Sequence, residues 1–350
     1  MPLVITTIGA YPKPEYVELP DWFTVAEGPG TARPTAPWAY AMAAMADDAE
    51  ALRPRGTHKV VREQVDAGID IPTDGELRRE NYNHYRCRHL AGFDFEAVRE
   101  KVLCNGAYNA FLPTVRGPVT AREPFLVREW RIAQAAIDKP VKITIPGPMT
   151  VTDTVVDTFY SDPARMGANV VAALNVEVRA LAESGCRHTQ IDEPLFARKP
   201  DSALACGLDN LERAFHGAPD SVTRTLHMCC GYPDKLDWTD YPKADTNAYV
   251  QIADSVDASS VDAVSLEDTH RHNDLSLLEH FVTTTVIFGL LAIAKSRVET
   301  VDELVVRLRA VLNHIDAERV MAAPDCSLTF FGKSLAVQKM RVLCQAAKAI

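Results

Sequence analysis

The chain has 350 residues, of which 47% are hydrophobic and 24% are charged, the balance of a globular protein with a substantial core. Its net charge of −10 argues against nucleic acid or an anionic membrane surface as a partner, and no apolar run approaches the roughly 20 residues that a bilayer span needs. The N-terminus has no basic segment of the kind that opens a signal peptide, so a cytoplasmic enzyme is expected, with its eight cysteines as reduced thiols or metal ligands.

Short apolar runs alternate with amphipathic stretches along the chain. β-Strands are predicted over residues 4–8, 69–73, 142–145, 188–191, 222–227, 261–266, 285–290 and 320–323. Helices are predicted over residues 47–67, 163–184, 202–215, 246–256, 301–315 and 335–349. This recurrence favours parallel β/α units. We therefore predict a single domain, residues 1–350, of the α/β class: a (β/α)8 TIM barrel with an insertion around residues 80–140 and a Pro- and Gly-rich loop over residues 20–37.

Residues able to do chemistry follow five of the predicted strands, at the end where a barrel places its active site. They are Asp74-Gly75-Glu76, Asp192-Glu193, His227-x-Cys229, Glu267 and Cys326. An imidazole, two thiolates and a carboxylate are a donor set that suits tetrahedral zinc. His227 and Cys229 would face the same side of a regular strand, whereas Cys230 should point away. Glu267 and Cys326 would arrive from neighbouring strand ends.

Each of these residues has a structural alternative. A lone cysteine near a strand end usually packs in a core, and only the joint placement favours a metal. Two thiolates and a carboxylate leave zinc electron-rich, which suits the activation of a substrate thiol for alkylation. Zinc-dependent hydrolysis is the rival chemistry. A structural zinc is less favoured, because its ligands usually come as short-range pairs and these are spread over about a hundred residues.

Six short stretches occur in an order shared with one enzyme family. They are Thr6-Thr7-Ile8-Gly9, Asp74-Gly75-Glu76, Gln190-Ile191-Asp192-Glu193-Pro194, His227-Met228-Cys229, Leu266-Glu267 and Pro324-Asp325-Cys326. In these stretches the chain resembles the C-terminal catalytic half of cobalamin-independent methionine synthase. It is expected to be a short form that lacks the family's N-terminal barrel. The resemblance implies a (β/α)8 barrel with one catalytic Zn²⁺ and an amino-acid thiol, such as homocysteine, as substrate.

The resemblance also assigns roles to individual residues. The residues that it assigns to zinc are His227, Cys229, Glu267 and Cys326. The residues that it assigns to the substrate are Ile8, Gly9, Glu76 and Asp192, the last two also being the catalytic candidates. Two carboxylates can neutralise and hydrogen-bond one ammonium group. The alternative is that Asp192 and Glu193 are ion-pair residues of the barrel rim or helix caps.

Three departures from the family fall mostly on the methyl-donor side. Ala10 replaces a serine, Ala292-Ile293-Ala294 replaces Asp-Ile-His, and no tryptophan follows Gly147-Pro148-Met149-Thr150. In the family that histidine is held to protonate the folate nitrogen, which an amine leaving group requires. The intact ligand set therefore favours a changed donor, such as methylcobalamin or a corrinoid protein, whose leaving group needs no proton. Lys295 and His270 are substitute acids unless they are solvated rim residues.

The leading hypothesis is a zinc-dependent methyltransferase that makes methionine from homocysteine through a zinc-bound thiolate. The alternative keeps the zinc and changes the thiol, as in the epoxyalkane–coenzyme M transferases, with Ala10 and residues 268–272 serving the other substrate. A third hypothesis is a barrel that binds a thiol or a metal without catalysis. A screen of methyl donors and thiol acceptors on the zinc-loaded protein distinguishes the three.

Overall fold

The computed structural model describes residues 2–17, 19, 40–44, 48–103, 108–232, 235–238 and 241–350. Both the loop predicted over residues 20–37 and Cys104 lie outside these residues. The strands are β1 (Val4–Ile5), β2 (Leu90–Leu103), β3 (Tyr108–Ala121), β4 (Lys142–Pro146), β5 (Val156–Asp157), β6 (His188–Asp192), β7 (Thr223–Met228), β8 (Ala263–Leu266), β9 (Thr285–Leu291) and β10 (Val320–Pro324). The principal helices are α1 (Ala49–Ala67), α2 (Tyr82–Arg88), α3 (Leu126–Gln134), α4 (Pro148–Asp153), α5 (Pro163–Glu183), α6 (Pro194–Arg198), α7 (Leu208–Phe215), α8 (Ala248–Asp257), α9 (Val301–Val311) and α10 (Lys333–Lys348).

Seven strands form one parallel sheet in the order β1-β10-β9-β8-β7-β6-β4. The segment 69–73 joins the two edges of this sheet through parallel bridges, Thr6 with Ile71 and Thr73 with Lys142. Backbone hydrogen bonds support it, from Ile71 N–H to Ile5 O at 3.1 Å and from Lys142 N–H to Pro72 O at 2.9 Å. The curled sheet thus becomes a ring of eight parallel segments, as the sequence predicts.

Side-chain alternation divides the apolar residues of the strands between two layers. Leu226, Val264 and Val286 are buried in the main core, between the sheet and the surrounding helices. A smaller cluster of Ile8, Ala263, Ile287 and Ala323 is also buried. Ala263 and Val264 are consecutive in β8, so they face opposite sides of the sheet and the smaller cluster fills the barrel interior.

Helix α5 shows how local signals set an element of the outer layer. The Asp162 carboxylate accepts hydrogen bonds from Ala164 N–H and Arg165 N–H, and Pro163 occupies the first helical position. Its apolar stripe, predicted from the sequence, is buried. Gly185 follows with a φ of 99°, the left-handed conformation that ends helices. Cap and stripe together decide where this helix lies and which face it buries.

The insertion is a hairpin that the sequence periodicity does not reveal. Strands β2 and β3 are 14 residues long and pair antiparallel with two shifts of register, and β5 adds to β3 in parallel. The base of the hairpin packs on α5, where Leu90, Val115 and Val119 share one buried cluster with Met166 and Val170. The hairpin therefore stands on the outer wall of the barrel, with helices α2 and α3 on either side of it in the chain.

The helix predicted over residues 202–215 is interrupted. A helical turn at Pro200–Ser202 is followed by a π-helical segment, Ala203–Gly207, before α7 begins. A Cβ at Gly207 would lie 2.6 Å from Met149 Sδ and 2.8 Å from Phe196 Cε1, so this stretch packs too closely for a side chain there. Tertiary packing thus overrides the helical periodicity. No helix of the described part of the chain is long and apolar enough to cross a bilayer.

Candidate active site

The four candidate metal ligands come from the C-terminal ends of three strands. His227 is in β7 and Cys229 follows it, Glu267 follows β8, and Cys326 follows β10. The ligand atoms of His227, Cys229 and Cys326 lie within 4.8 Å of one another. β8 adjoins β7, but β9 separates β8 from β10, so the expectation that Glu267 and Cys326 arrive from neighbouring strands is wrong. The curvature of the barrel brings Cys326 back to His227.

Direct contacts join the four side chains in pairs. The His227 Nε2 atom lies 3.4 Å from Cys326 Sγ, and Cys229 Sγ lies 3.2 Å from Glu267 Oε1. On its other side, the His227 Nδ1 atom lies 2.9 Å from Ser265 Oγ. Ser265 faces His227 in the register of β7 and β8, and this contact aims Nε2 at the cluster. Ser265 is a supporting residue that no motif in the sequence indicates.

The electrostatics of the cluster fit a bound cation. Burial lowers the pKa of His227 to about 3, so the imidazole is neutral, as a metal ligand must be. The Cys326 side chain and burial raise the pKa of the Cys229 thiol, and burial and Cys229 raise that of Glu267. The buried Glu267 Oε2 atom has no hydrogen-bond partner among the described residues. A divalent cation would favour the ionised thiols and occupy this free oxygen, so the residues present fit zinc.

Asp325 fixes the loop that carries Glu267. Its Oδ1 atom accepts hydrogen bonds from Asp268 N–H at 3.1 Å and Thr269 N–H at 3.0 Å, and its Oδ2 atom accepts one from His270 N–H at 3.0 Å. Asp325 precedes Cys326, so one carboxylate ties the β8 end of the cluster to the β10 end. Asp325 belongs to one of the six short stretches shared with the family, but its sequence context predicts no role for it.

Glu76 lies in a strained turn after the barrel-closing segment. Gly75 and Glu76 have φ values of 71° and 52°, and a Cβ at Gly75 would lie 2.3 Å from Val60 Cγ1. The Glu76 Oε1 atom accepts a hydrogen bond from Thr144 Oγ1 at 2.6 Å and lies 3.3 Å from Arg79 Nη1. The turn therefore directs a buried, held carboxylate toward the barrel axis.

The four predicted substrate residues come together around Glu76. A Cβ at Gly9 would lie 3.1 Å from Glu76 Oε1, so this carboxylate lies against bare backbone. The Gln190 Nε2 group donates hydrogen bonds to Ile8 O and Asp192 Oδ1, both at 2.7 Å. Burial and the nearby Glu76 raise the pKa of Asp192 to about 8. The mutual repulsion of the two buried carboxylates, which Arg79 and Lys142 offset only in part, favours a further cation beside them.

Glu193 has a different role from Asp192. Its Oε1 atom accepts from Met149 N–H at 2.8 Å, and its Oε2 atom accepts from Thr150 N–H at 3.0 Å and Thr150 Oγ1 at 2.8 Å. These are donors of the first turn of α4. A Cβ at Gly147 would lie 2.2 Å from Glu193 Oε1, so the carboxylate needs a glycine there. The helix-cap interpretation therefore applies to Glu193, whereas Asp192 faces the barrel interior.

The metal cluster and the carboxylate pair are neighbours. Asp192 and His227 are register partners in β6 and β7, and Glu193 N–H donates to His227 O at 2.9 Å. Ile8 and Cys326 pack in the same cluster of the barrel interior. The two buried carboxylates and the candidate metal ligands therefore lie side by side in the barrel interior.

Residues 292–294, at the end of β9, form a strip held by hydrogen bonds at both alanines. Ala292 N–H donates to Glu299 Oε1 at 3.0 Å, and Ala292 O accepts from Lys339 Nζ at 3.1 Å. Ala294 N–H donates to His270 Nε2 at 3.1 Å, and Ala294 O accepts from Asp237 N–H at 2.6 Å. The backbone position of the strip is thus fixed, while its two alanines offer no proton.

Neither proposed substitute acid is placed to act as one. The His270 Nε2 atom accepts the Ala294 N–H, so in the neutral ring the proton is on Nδ1, and burial lowers the pKa of His270 to about 3. Lys295 is exposed to solvent. The interpretation of Lys295 as a rim residue therefore agrees with its position, and His270 is a half-buried residue that supports the strip.

Cys230 and residues 268–272 are engaged in contacts of their own. The Cys230 thiol is buried and lies 3.3 Å from Arg271 Nη2. Asp268 accepts two hydrogen bonds from Arg307, at 2.8 and 2.7 Å, and lies 3.0 Å from His272 Nδ1. Much of this polar segment therefore stabilises the rim itself.

Fold and site together define an α/β-barrel enzyme with a cluster of potential metal ligands beside two buried carboxylates. The family model described as the catalytic domain of cobalamin-independent synthase matches residues 29–349. The chain belongs to this cobalamin-independent methionine synthase family and is a methionine synthase-like methyltransferase, with a His/Cys/Cys cluster that could hold a metal ion.

Individual relatives share most of their length with the chain. A methionine synthase of Thermococcus kodakarensis is 29% identical over 80% of this chain and 78% of its own length, and one of Sulfolobus acidocaldarius is 26% identical over 97% and 89%. A solved B12-independent methionine synthase from Shewanella sp. W3-18-1, in complex with selenomethionine, has a TM-score of 0.86 and 26% identity over 100% of this chain and 98% of that chain. These likenesses agree with the barrel fold.

Proposed function

We propose that this protein transfers a methyl group to the thiol of homocysteine to form methionine, in a single catalytic barrel of residues 1–350. The observation that carries the proposal is the His227/Cys229/Cys326 cluster beside the Glu76 and Asp192 carboxylates. One half of the site would bind a metal, and the other half would bind the cationic end of an amino acid.

The Glu76 and Asp192 carboxylates would account for the binding of an amino-acid substrate. The ammonium group would lie between Glu76 and Asp192, where it relieves the repulsion of two buried carboxylates. Ile8 and Gly9 would line the same pocket, since Ile8 O and the Gly9 backbone border these carboxylates. The selenomethionine in the Shewanella structure, a methionine analogue, supports such a ligand.

The candidate metal ligands would account for a thiol as the acceptor of the methyl group. His227, Cys229, Cys326 and Glu267 would hold Zn²⁺, with Ser265 and Asp325 keeping the ligands in place. When bound, zinc lowers the pKa of a substrate thiol and keeps it available as a nucleophile at neutral pH. The pairing with an amino-acid pocket favours thiol alkylation over zinc-dependent hydrolysis.

We further propose a methylcorrinoid, either methylcobalamin or a corrinoid protein, as the methyl donor. The Ala294 side chain has no acidic group, and the His270 Nε2 atom already accepts a backbone N–H. Neither residue therefore supplies a proton to an amine leaving group. A cobalt leaving group needs none. The alternative of another thiol acceptor is less favoured, because residues 268–272 bond mainly to the rim.

The metal assignment is tested with Cys229→Ser. We expect the purified wild type to hold one zinc per chain, and the variant to bind zinc at least about a hundredfold more weakly and to lose methyl transfer. The matched control is Cys230→Ala, which removes the neighbouring thiol and should keep zinc and activity. Wild type without stoichiometric zinc, or a fully active Cys229→Ser variant, contradicts the proposal.

The donor and acceptor are tested separately on the zinc-loaded protein, with product detection by mass spectrometry. Homocysteine should exceed every other thiol in a panel. Methylcobalamin should support turnover, and methyltetrahydrofolate should be much slower. Rapid turnover with methyltetrahydrofolate and none with methylcobalamin would show that Ala294 does not decide the donor.

A further inference from the structure

Tyr249 is a buried residue that has no part in the site described so far. It lies in the first turn of α8, and its side chain is fully buried. Its hydroxyl donates a hydrogen bond to Met228 O at 2.7 Å and accepts one from Glu267 N–H at 3.2 Å. Met228 lies between the candidate ligands His227 and Cys229. One hydroxyl therefore contacts the main chain at the ends of both β7 and β8, which carry three of the four candidate metal ligands.

Neighbouring strands show how the hydrogen-bond ladder closes elsewhere at this end of the barrel. In each of two strand pairs, the residue after the last register pair donates its N–H directly to the facing strand. Gly147 N–H donates to Asp192 O between β4 and β6, and Glu193 N–H donates to His227 O between β6 and β7, both at 2.9 Å. The ladder between β7 and β8 is therefore expected to end on the same kind of direct bond.

Between β7 and β8 the Tyr249 hydroxyl takes the place of that direct bond. Met228 and Leu266 are the last register pair, so the equivalent donor is Glu267 N–H and the equivalent acceptor is Met228 O. Both groups bond to the Tyr249 oxygen instead. Because one atom stands between them, the two strand ends are held farther apart than a direct bond would hold them.

Helix α8 holds the hydroxyl in a fixed position. Tyr249, Ile252 and Val256 belong to its buried face and pack in the main core. On the other side, the Asn273 Nδ2 group donates to Glu267 O at 2.7 Å, so both backbone groups of this candidate ligand have partners. The separation of the two strand ends is therefore set by a packed helix and by bonded main chain, and not by exposed side chains.

We propose that Tyr249 is a positioning residue that sets the spacing between Cys229 and Glu267 for a bound metal ion. The inference rests on the metal half of the proposed function. The Cys229 Sγ and Glu267 Oε1 atoms, 3.2 Å apart, extend from the two backbone segments that the hydroxyl separates. Tyr249→Phe keeps the ring and removes the hydroxyl. The freed backbone groups then either bond directly to each other or stay without a partner, and both changes move the two side chains relative to each other.

Zinc affinity is the first measurement, made on the purified protein by competition with a chelator. We expect Tyr249→Phe to bind zinc about ten- to a hundredfold more weakly than wild type, the usual effect of losing a residue that holds metal ligands. The matched control is Tyr160→Phe. The Tyr160 hydroxyl is also buried and accepts hydrogen bonds from Val119 N–H and Asn169 Nδ2, but it lies between the hairpin and α5. This variant should lose stability to a similar extent and keep its affinity for zinc.

The absorption spectrum of Co²⁺ bound in place of zinc reports the ligand arrangement directly. Its d–d bands depend on the number and geometry of the ligands, and its charge-transfer band reports bound thiolates. We expect Tyr249→Phe to keep the charge-transfer band, because the thiols of Cys229 and Cys326 remain. Its d–d bands should change, because the Glu267 carboxylate moves relative to those thiols. Tyr160→Phe should give the wild-type spectrum, since a general loss of stability does not alter the ligands.

These measurements separate the spacing role from the proposed methyl transfer. A Co²⁺ spectrum of Tyr249→Phe identical to that of wild type overturns the inference, even if wild type makes methionine. Equal losses of zinc affinity in Tyr249→Phe and Tyr160→Phe also overturn it. If Tyr249→Phe alone shows the weaker affinity and the changed spectrum but wild type methylates no thiol, the spacing role stands and only the methyl transfer fails. A wild type that binds neither metal contradicts both.

Discussion

The Asp192 carboxyl has an unusual protonation equilibrium for a residue proposed to bind a cation. Burial and the Glu76 carboxylate raise its pKa to about 8, so it is mostly protonated at pH 7. Because this folded-state pKa lies above that of an unfolded aspartate, the residue contributes stability that is present at low pH and lost as pH rises toward about 8. A bound ammonium group would reverse the preference and favour the ionised carboxylate.

We therefore predict that methionine binding releases up to about one proton at pH 7. Methionine is the suitable ligand because it has no thiol to titrate. Calorimetry in two buffers with different ionisation enthalpies measures the proton count. Asp192→Asn should release none and bind methionine about ten- to a hundredfold more weakly.

The matched control for this prediction is Glu193→Gln. Glu193 has a pKa raised to about 7 by burial, but it caps α4 instead of facing the barrel interior. Proton release should persist in this variant. If Asp192→Asn releases as many protons as wild type, another group binds the ammonium.

At the scale of single elements, a buried ion pair holds the end of β9. The Lys339 ammonium lies 2.9 Å from both Glu299 oxygens, and both residues are buried. The pair also bonds both backbone groups of Ala292. Helix α10 thus holds residues 292–294 in place at the end of β9.

We predict that Lys339→Met lowers the free energy of unfolding by about 3–5 kcal/mol, because it leaves the Glu299 charge buried without its partner. Urea denaturation measures the change. The control on the same helix is Lys333→Met, whose partner Glu63 at 3.1 Å is partly solvent-exposed. That variant should lose no more than about 1 kcal/mol. Equal losses in the two variants would show that the buried pair has no special role.

At the scale of the whole molecule, a buried glutamine of α1 supports closure of the barrel, in addition to the backbone bonds of the closing segment. The Gln64 Oε1 atom accepts from Thr7 Oγ1 at 2.6 Å and Thr73 N–H at 3.2 Å, and its Nε2 group donates to Thr73 O at 3.0 Å. Gln64 is fully buried. Its side chain therefore joins the segment after β1 to the closing segment, immediately before the turn that carries Glu76.

We predict that Gln64→Leu lowers the free energy of unfolding by about 2–4 kcal/mol, because buried backbone and hydroxyl groups lose their partners. It should also weaken methionine binding, since the Glu76 turn follows the closing segment. Denaturation and calorimetry measure the two effects. Gln338→Leu, at an exposed position of α10, should change stability by less than about 0.5 kcal/mol. A Gln64→Leu protein as stable as wild type would show that closure does not need this residue.

Local signals in the sequence determined most of the barrel. The strands, the capping box of Thr300 and Glu303, and the Asp162 and Gly185 limits of α5 all follow from periodicity and capping chemistry within a few residues. They also predict which residues stand at strand ends, because those positions depend only on where a strand stops. The family resemblance assigned roles to them.

Only the tertiary structure decided how these residues meet, because the decisive contacts are distant in the chain. Cys326 reaches His227 from 99 residues away, and Gln190 reaches Ile8 across 182. Asp192 and Glu193 are adjacent in sequence, yet one faces the barrel interior and the other caps a helix. The position of the hairpin is decided by its packing on α5, a contact between separate elements that no local periodicity encodes. The sequence by itself determined which groups the site contains, and the closure of the barrel determined their arrangement.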